Sequence, residues 1–286
     1  MSSTQQLREL LSAPGIIAMP CAFDAMSARL VERAGFKATF MGGFAVSAAR
    51  LGMPDTGLIS YAEMADQARN ICAAVSIPVL GDGDTGYGNA INTRRTVHGY
   101  AQTGLACVMI EDQVAPKRCG HTRGKQVVGR DEAFARVQAA VDARDEGADI
   151  LVMARTDAVA THGLDEAIER AKVFRDIGVD ITFVEAPHDV DDMRRYCEEV
   201  PGPKMANMVE QGDSPHLSPQ ELEALGYKIA VYPLTLLLAA VHAMEQALAE
   251  FAAGRVPQAG LADFAHLQAI VGFPEYYELE KKYAGG

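Results

Sequence analysis

The chain has 286 residues, of which 49% are hydrophobic, and it carries a formal net charge of -12 at pH 7. That size and apolar content suffice for one large buried core, either as a single α/β barrel or as two ordinary domains. The acidic balance argues against general affinity for nucleic acid or acidic membranes, although a local pocket could still bind small anions.

The first 15 residues lack the continuous apolar core of a secretory signal, and no later stretch is long and apolar enough to cross a membrane. The five cysteines are widely spaced, with no CxxC pair and no zinc-finger spacing. These features predict a cytoplasmic protein without disulfides or structural zinc.

In chain order, Leu7, Leu10 and Leu11 predict a short amphipathic helix that Pro14 ends. Eight apolar runs follow, and each leads into a polar or glycine-rich turn and then a helical pattern. The runs are Ile16–Met19, Ala38–Met41, Val79–Leu80, Cys107–Ile110, Ile150–Ala154, Ile181–Val184, Lys204–Ala206 and Ile229–Val231. Without any low-complexity linker, this alternation favours a closed (β/α)8 TIM barrel over an open doubly wound sheet.

After Pro233 the pattern predicts a long helix through Phe251 and a second helical piece from Leu261 to Tyr283. We interpret residues 1–286 as a single barrel domain in which residues 234–286 form a helical extension. The apolar spacing of that extension requires a packing partner, and exchange with a neighbouring subunit is one solution.

In a barrel the active site lies at the C-terminal ends of the strands, so the polar residues that follow the apolar runs are the site candidates. They are Gly42, Gly43, Asp82, Asp84, Glu111, Arg155, Glu185 and Asn207, with Asp55 in the loop after the second run. The carboxylates would supply hard oxygen ligands to Mg2+; the alternative is that each acidic residue caps a helix N-terminus. Arg155 suits a bidentate grip on a carboxylate, or else it bridges neighbouring strands.

The loop from Glu111 to His121 carries Cys119 among basic residues and beside Gly120. Neighbouring cations favour a thiolate and glycine lets a loop move, so this loop is predicted to be a catalytic lid. The other four cysteines fit apolar or helical patterns and are expected to be structural. The charged stretch from Arg130 to Arg144 is interpreted as a solvated helix face.

Taken together, these motifs resemble the isocitrate lyase/phosphoenolpyruvate mutase superfamily, in the branch of the dimethylmalate lyases, petal death proteins and methylisocitrate lyases. The resemblance rests on an ordered series that spans almost the whole chain: FDAMSARL, LGMPDTG, GDGDTGYGN, IEDQ, PKRCGHTRGK, ARTDA, VEAP, NMVE and VYPLT. It implies a barrel whose eighth helix is exchanged between subunits, usually in a homotetramer, with Mg2+, or alternatively Mn2+, at the strand ends.

Position by position, the resemblance implies an Mg2+ shell of Asp55, Asp82, Asp84 and Glu111. Substrate contacts would come from Arg155, Asn207 and Pro233 and from backbone amides near Gly42 and Gly43. Glu185 would complete the pocket, His121 would support the lid, and Cys119 would be the general acid.

The implied reaction is retro-Claisen cleavage of a 2-hydroxy di- or tricarboxylate, in which Cys119 protonates the departing carbon. A cysteine suits this role because its ordinary pKa of about 8.5 lies near neutral pH. The motifs favour a 2,3-dimethylmalate-type lyase that makes pyruvate and propionate. The alternatives are a 2-methylisocitrate lyase, an oxaloacetate hydrolase or decarboxylase, a carboxyphosphonoenolpyruvate phosphonomutase, and a silent binding barrel.

Overall fold

A computed structural model describes residues 1–120 and 124–284 of the chain. The chain divides into two compact units, Met1–Thr235 and Leu236–Gly286. His121, which the sequence assigned to the lid, lies outside the described residues.

Eight parallel strands close into a barrel in the first unit, each hydrogen-bonded to the next and β8 to β1. The strands are β1 (Ile17–Ala22), β2 (Thr39–Met41), β3 (Val79–Asp82), β4 (Cys107–Glu111), β5 (Leu151–Thr156), β6 (Ile181–Val184), β7 (Lys204–Asn207) and β8 (Ile229–Tyr232). The predicted (β/α)8 barrel is confirmed.

Helices surround the barrel in the described part of the first unit. They are α1 (Ser3–Ser12), α2 (Ala25–Arg33), α3 (Gly43–Leu51), α4 (Tyr61–Ala74), α5 (Ala90–Ala101), α6 (Arg130–Asp145), α7 (Val159–His162), α8 (Leu164–Ile177), α9 (Val190–Glu199) and α10 (Pro219–Leu225). Local sequence sets several of their ends: Ser60 and Glu63 form a capping box at the start of α4, and Gly226 ends α10 in the left-handed conformation.

The barrel interior is filled by apolar side chains from alternate strand positions, among them Met19, Phe40, Met109 and Phe183. Leu7 of α1 is fully buried in the same cluster. The N-terminal helix therefore covers one end of the barrel, as its amphipathic spacing predicted, while the opposite end stays available for a site.

Most strands run further toward that open end than the apolar runs indicated. Asp82, Glu111, Arg155 and Asn207 are strand residues rather than the first residues of the following turns. Because strand backbone is held on both sides by ladder hydrogen bonds, these polar side chains project from a rigid edge.

The second unit is helical. Helix α11 (Thr235–Ala252) begins at the unit boundary, and α12 (Phe264–Val271) and α13 (Phe273–Tyr283) follow it. Gly272 adopts a φ of 90° and separates the last two helices, which the sequence had predicted as one piece. Within the described residues, none of the helices has the length and apolar character needed to span a membrane.

Candidate active site

A cavity of about 590 Å³, which includes its open mouth, lies at the C-terminal ends of the strands. Nine of the residues that the sequence assigned to the site line it: Gly42, Gly43, Asp55, Asp82, Cys119, Arg155, Glu185, Asn207 and Pro233. The two remaining described candidates, Asp84 and Glu111, do not line this cavity, and both are buried. The fold therefore brings to one cavity residues that are up to 191 positions apart in the sequence, from Gly42 to Pro233 (233 − 42).

Asp82 organises the carboxylate side of this cavity through backbone contacts. Its Oδ2 accepts a hydrogen bond from the Gly43 amide at 3.0 Å, and its Oδ1 accepts one from the Asp84 amide at 2.9 Å. The second bond holds Asp84 at a φ of 48°, a conformation that a non-glycine residue rarely adopts. Of the two glycine amides expected to bind substrate, that of Gly43 is therefore engaged by Asp82.

Lys117 lies inside the same cluster, where the sequence analysis had treated it only as a basic loop residue. Its Nζ is 2.7 Å from Asp55 Oδ1 and 2.7 Å from Asp84 Oδ1, and its side chain is 4% exposed. Burial, together with repulsion from Asp82 and Asp55, raises the pKa of Asp84 to about 7, although Lys117 opposes this rise. Acidic side chains held this close together require positive charge among them.

The donor set fits a hard divalent cation. Glu111 Oε1 is buried and accepts no hydrogen bond from the described residues. Asp55, Asp82, Asp84 and Glu111 offer only oxygen donors, which Mg2+ prefers. Within the described ranges, no three His, Cys, Asp or Glu side chains are arranged to hold an ion by themselves. An ion here would take most of its ligands from water and substrate, as Mg2+ commonly does.

Arg155 is shared among three buried carboxylates. Its Nε and Nη2 donate to the two oxygens of Asp157 at 2.8 and 2.9 Å. Nη2 also lies 3.1 Å from Glu185 Oε2, and Nε lies 3.4 Å from Glu111 Oε2. The bridging role weighed for this arginine is therefore present. Nη1 makes no bond to the residues that the structure describes, so this nitrogen remains for a ligand.

Glu185 and Asn207 form the next part of the wall. Asn207 Nδ2 lies 3.2 Å from Glu185 Oε2, and the Ala186 amide donates to Glu185 Oε1 at 3.0 Å. With Arg155 on the same Oε2, the Glu185 carboxylate is held on several sides. It can therefore keep a fixed position while a ligand binds.

A second network of buried hydrogen bonds, centred on Asp112, lies next to Arg155 in the chain at Thr156 and Asp157. Asp112 accepts hydrogen bonds from Thr156 Oγ1 at 2.6 Å, from the Asp157 amide at 3.0 Å and from Arg170 Nη1 at 2.9 Å. Glu111 and Asp112 are adjacent in the chain, and adjacent side chains at a strand end point to opposite faces. Glu111 and Asp112 therefore have different environments: Glu111 lies beside Arg155 of the site, and Asp112 belongs to the buried network with Arg170.

The loop between β4 and α6 is described over residues 112–120 and 124–129, and it contributes Lys117, Cys119 and Gly120 to the cavity lining. Its described ends pair as Gln113 with Val127, and the Gln113 side chain bonds both the amide and the carbonyl of Arg118. The Cys119 amide donates to the Asp55 carbonyl at 3.2 Å. These contacts place Cys119 at the cavity wall, beside the carboxylates.

The helix that follows this loop corrects one interpretation of the sequence. Arg136 lies in the stretch taken as a solvated face, yet it is 3% exposed, and its Nη1 donates to the carbonyls of Glu111 and Gln113 at 2.8 and 3.0 Å. The charge of the side chain suggested that it faces solvent. A guanidinium has five donors, however, and can therefore form the hydrogen bonds that buried carbonyls at the base of a loop require. Arg136 thereby anchors the loop to α6.

The rest of the described cavity lining is largely apolar. It includes Phe40, Phe44, Met109, Phe183, Met205, Val209, Val231, Pro233 and Leu234. The charged and apolar residues are neighbours in places, since the Arg155 guanidinium lies over the Phe183 ring, 5.3 Å from its centroid. The site thus combines charged groups, able to hold a carboxylate and a cation, with apolar side chains that suit alkyl groups.

A closed parallel barrel with carboxylates, an arginine and a loop cysteine at its strand ends defines a small-molecule enzyme of the TIM-barrel class. The family model for phosphoenolpyruvate phosphomutase matches residues 7–252, and the chain belongs to this family. The superfamily resemblance recognised in the sequence is confirmed.

Individual relatives carry different names. The chain is 42% identical to a 2,3-dimethylmalate lyase of Eubacterium barkeri over 100% of both chains. It is 44% identical to a probable 2-methylisocitrate lyase of Corynebacterium glutamicum, over 86% of this chain and 80% of that protein. The solved structure of an oxaloacetate acetylhydrolase with the inhibitor 3,3-difluorooxaloacetate matches with a TM-score of 0.95 and 34% identity, covering 100% of this chain and 98% of that one.

Proposed function

We propose that the protein is a Mg2+-dependent carbon–carbon lyase that cleaves a substituted malate of the 2,3-dimethylmalate type to pyruvate and propionate. The observation that carries this proposal is the mixed lining of the cavity, in which carboxylates and Arg155 occur together with many apolar side chains. A dicarboxylate with methyl substituents presents the same two kinds of surface. The full-length similarity to a 2,3-dimethylmalate lyase supports the choice.

Asp84, with Asp55, Asp82 and Glu111 acting partly through water, would hold the metal ion. A bound Mg2+ would stabilise the negative charge that develops on the substrate oxygens during cleavage. Lys117 neutralises part of the same cluster through its contacts with Asp55 and Asp84. It thereby opposes the rise in the pKa of Asp84 that burial causes.

One substrate carboxylate is assigned to Arg155 and to the N-terminus of α3. The Nη1 group of Arg155 is available for it, while Nε and Nη2 are fixed by Asp157. Gly42, Gly43 and Phe44 bring the start of α3 to the cavity, and first-turn amides of a helix favour anions. Glu185 holds Arg155 in orientation, Asn207 holds Glu185, and both line the space beside Arg155.

Cys119 is assigned as the general acid. In retro-Claisen cleavage a base in the site takes the proton of the 2-hydroxyl group, the bond between C2 and C3 of the malate breaks, C2 becomes the carbonyl carbon of pyruvate, and C3 keeps the electron pair as a carboxylate-stabilised carbanion. The Cys119 thiol would transfer its proton to C3, which gives propionate. His121 remains proposed as a supporting residue of the loop, on the basis of the sequence alone.

The apolar side chains of the cavity lining are proposed to contact the methyl substituents of the substrate. A 2-methylisocitrate substrate carries a third carboxylate, which would need a cation or several donors. The apolar side chains of Val209, Val231 and Leu234 offer neither. Pro233 also lines the cavity, at a position where the family resemblance implies serine in the oxaloacetate hydrolases, and this favours the dimethylmalate assignment.

The test is product analysis with Mg2+ and five substrates: 2,3-dimethylmalate, 2-methylisocitrate, isocitrate, oxaloacetate and phosphonopyruvate. We expect pyruvate with propionate from the first, and at least about 100-fold slower turnover in Cys119→Ser, as for loss of a general acid. Cys197→Ser, a half-buried cysteine of α9 outside the cavity, is the matched control.

Succinate from 2-methylisocitrate would reassign the enzyme to that lyase branch, and turnover of oxaloacetate or phosphonopyruvate would reject carbon–carbon cleavage of malates. Full activity of Cys119→Ser would remove the cysteine from the mechanism. Mg2+ binding without turnover of any of the five would support a silent barrel.

The same proposal includes the assembly. We propose a single barrel domain over residues 1–286 whose region 234–286 is exchanged between subunits in a homotetramer, in the cytoplasm. Large apolar side chains such as Leu248, Phe251 and Tyr276 are exposed along α11 and α13, and a second copy would bury them. No disulfide joins the described residues, which suits a reducing compartment. Light scattering in solution tests the tetramer.

A further inference from the structure

Lys125 lies near the end of the β4–α6 loop, in a position that no step of the proposed reaction uses. Its side chain is 5% exposed, although it belongs to a surface loop. Its Nζ donates to the Gly120 carbonyl and lies 3.6 Å from Asp157 Oδ1. A buried lysine ammonium is costly unless it is paired, so these two contacts define where the side chain is stable.

One partner of Lys125, Gly120, lines the cavity, and the other, Asp157, holds Arg155, which also lines it. Asp157 is the carboxylate that fixes Arg155 with two hydrogen bonds. Gly120 packs so closely on the neighbouring pair that an added Cβ would lie 2.4 Å from Glu185 Oε2 and 2.5 Å from Arg155 Nη2. Lys125 therefore joins the segment that carries Cys119 to the residues that hold Arg155.

We propose that Lys125 is a positioning residue that holds Cys119 and Gly120 against the cavity wall. The point charge of the ammonium, with three donors, can serve the Gly120 carbonyl and the Asp157 carboxylate at once. The side chain of Gln113 also holds this segment, through its hydrogen bonds with the backbone amide and carbonyl of Arg118. Lys125 supplies a further attachment, beside the bond from the Cys119 amide to the Asp55 carbonyl, and it ties the position of the thiol to the same carboxylate that orients Arg155.

The expected effect of Lys125 on turnover rests on the proposed role of Cys119 as general acid. Its expected effect on the position of Cys119 does not. Without the ammonium, the Gly120 carbonyl loses this donor, and Asp157 keeps its two hydrogen bonds from Arg155. A charge-assisted hydrogen bond contributes enough that its loss raises the population of displaced conformations about tenfold. Cys119 then becomes more accessible to solvent reagents, whatever the substrate is.

The test measures alkylation of Cys119 by iodoacetamide in the substrate-free protein, followed by peptide mass spectrometry. Burial raises the pKa of Cys72 and of Cys197 to about 12, so these thiols react slowly and serve as internal references. Rates are measured from pH 7 to pH 10, because the limiting rate at high pH reports access to the thiol separately from its ionisation.

The variants are Lys125→Met, Lys125→Arg and the control Lys204→Met. Lys204 is also buried, and its Nζ donates to the Gly202 carbonyl at 2.8 Å, but it lies at the start of β7, at the opposite end of the barrel. We expect an increase of about tenfold in the limiting rate for Lys125→Met, a rate near wild type for Lys125→Arg, and no change for Lys204→Met.

Kinetics then separate this inference from the proposed function. If wild type cleaves 2,3-dimethylmalate, Lys125→Met is expected to lower kcat more than it raises KM, because the substrate contacts remain while the acid is displaced. Faster alkylation in a protein that cleaves none of the substrates would keep the positioning role and reject only the lyase. A limiting rate unchanged in Lys125→Met, with melting as in wild type, would overturn the positioning role.

Discussion

Replacement of Gly120 by alanine tests whether close approach of the loop to the Arg155–Glu185 pair matters. The new Cβ would lie 2.4 Å from Glu185 Oε2, whereas ordinary contact begins near 3.4 Å, so the loop must move by about 1 Å (3.4 − 2.4). The Glu185 carboxylate cannot give way easily, because Arg155 and Asn207 hold it. A displacement of about 1 Å at a reacting group costs on the order of 100-fold in rate.

The assay is pyruvate release from 2,3-dimethylmalate, coupled to lactate dehydrogenase, beside a melting curve. Gly129→Ala is the matched control, since Gly129 ends the same loop at a φ of -57° and an added Cβ meets no atom within 4 Å. We expect kcat to fall about 100-fold in Gly120→Ala alone, with melting shifts below about 2 °C in both variants. Activity of Gly120→Ala within about twofold of Gly129→Ala would refute the reasoning.

Three other changes test the supporting charges. Asp112→Asn breaks the buried pair with Arg170 at a cost of about 3 kcal/mol, which lowers the melting temperature by about 6 to 12 °C; an unchanged melting temperature would contradict this. The hydrogen bond from Arg130 lowers the pKa of Glu166 to about 2, so its stabilisation is complete above about pH 4.5 and is lost as the pH falls toward 2. Urea unfolding should therefore separate wild type from Glu166→Gln more at pH 7 than at pH 3, and equal differences would exclude this contribution. EDTA should abolish cleavage and Mg2+ restore it, with Asp84→Asn needing at least about tenfold more Mg2+; an EDTA-resistant activity would reject the metal.

The sequence was sufficient for the barrel because each strand is a short apolar run and each run is followed by a helical pattern. The polar residues at the ends of those runs could be assembled into one site because parallel strands in a barrel end at the same edge. Arg155, Glu185 and Asn207 were found in this way, and they line the cavity together.

Other residues could not be placed from the sequence, since their environment depends on contacts between distant segments. Lys117 lies in a loop whose course is fixed only when Asp55 and Asp84 are in position. Arg136 has the charge of a surface residue but is buried by the loop above it. Helix α3 was not separated from the second βα unit, because it begins directly at the Gly42–Gly43 pair that follows β2.

The charged groups and part of the apolar lining of the cavity come from different parts of the barrel. Asp82 and Arg155 project from strands β3 and β5, while the apolar residues Val209 and Leu234 follow β7 and β8. The groups that would break the bond are thus separate in the chain from those that meet the substituent. Mutations confined to the last two βα connections could change which malate fits while the reaction stays the same, so new substrate ranges could evolve in this scaffold without passing through an inactive intermediate.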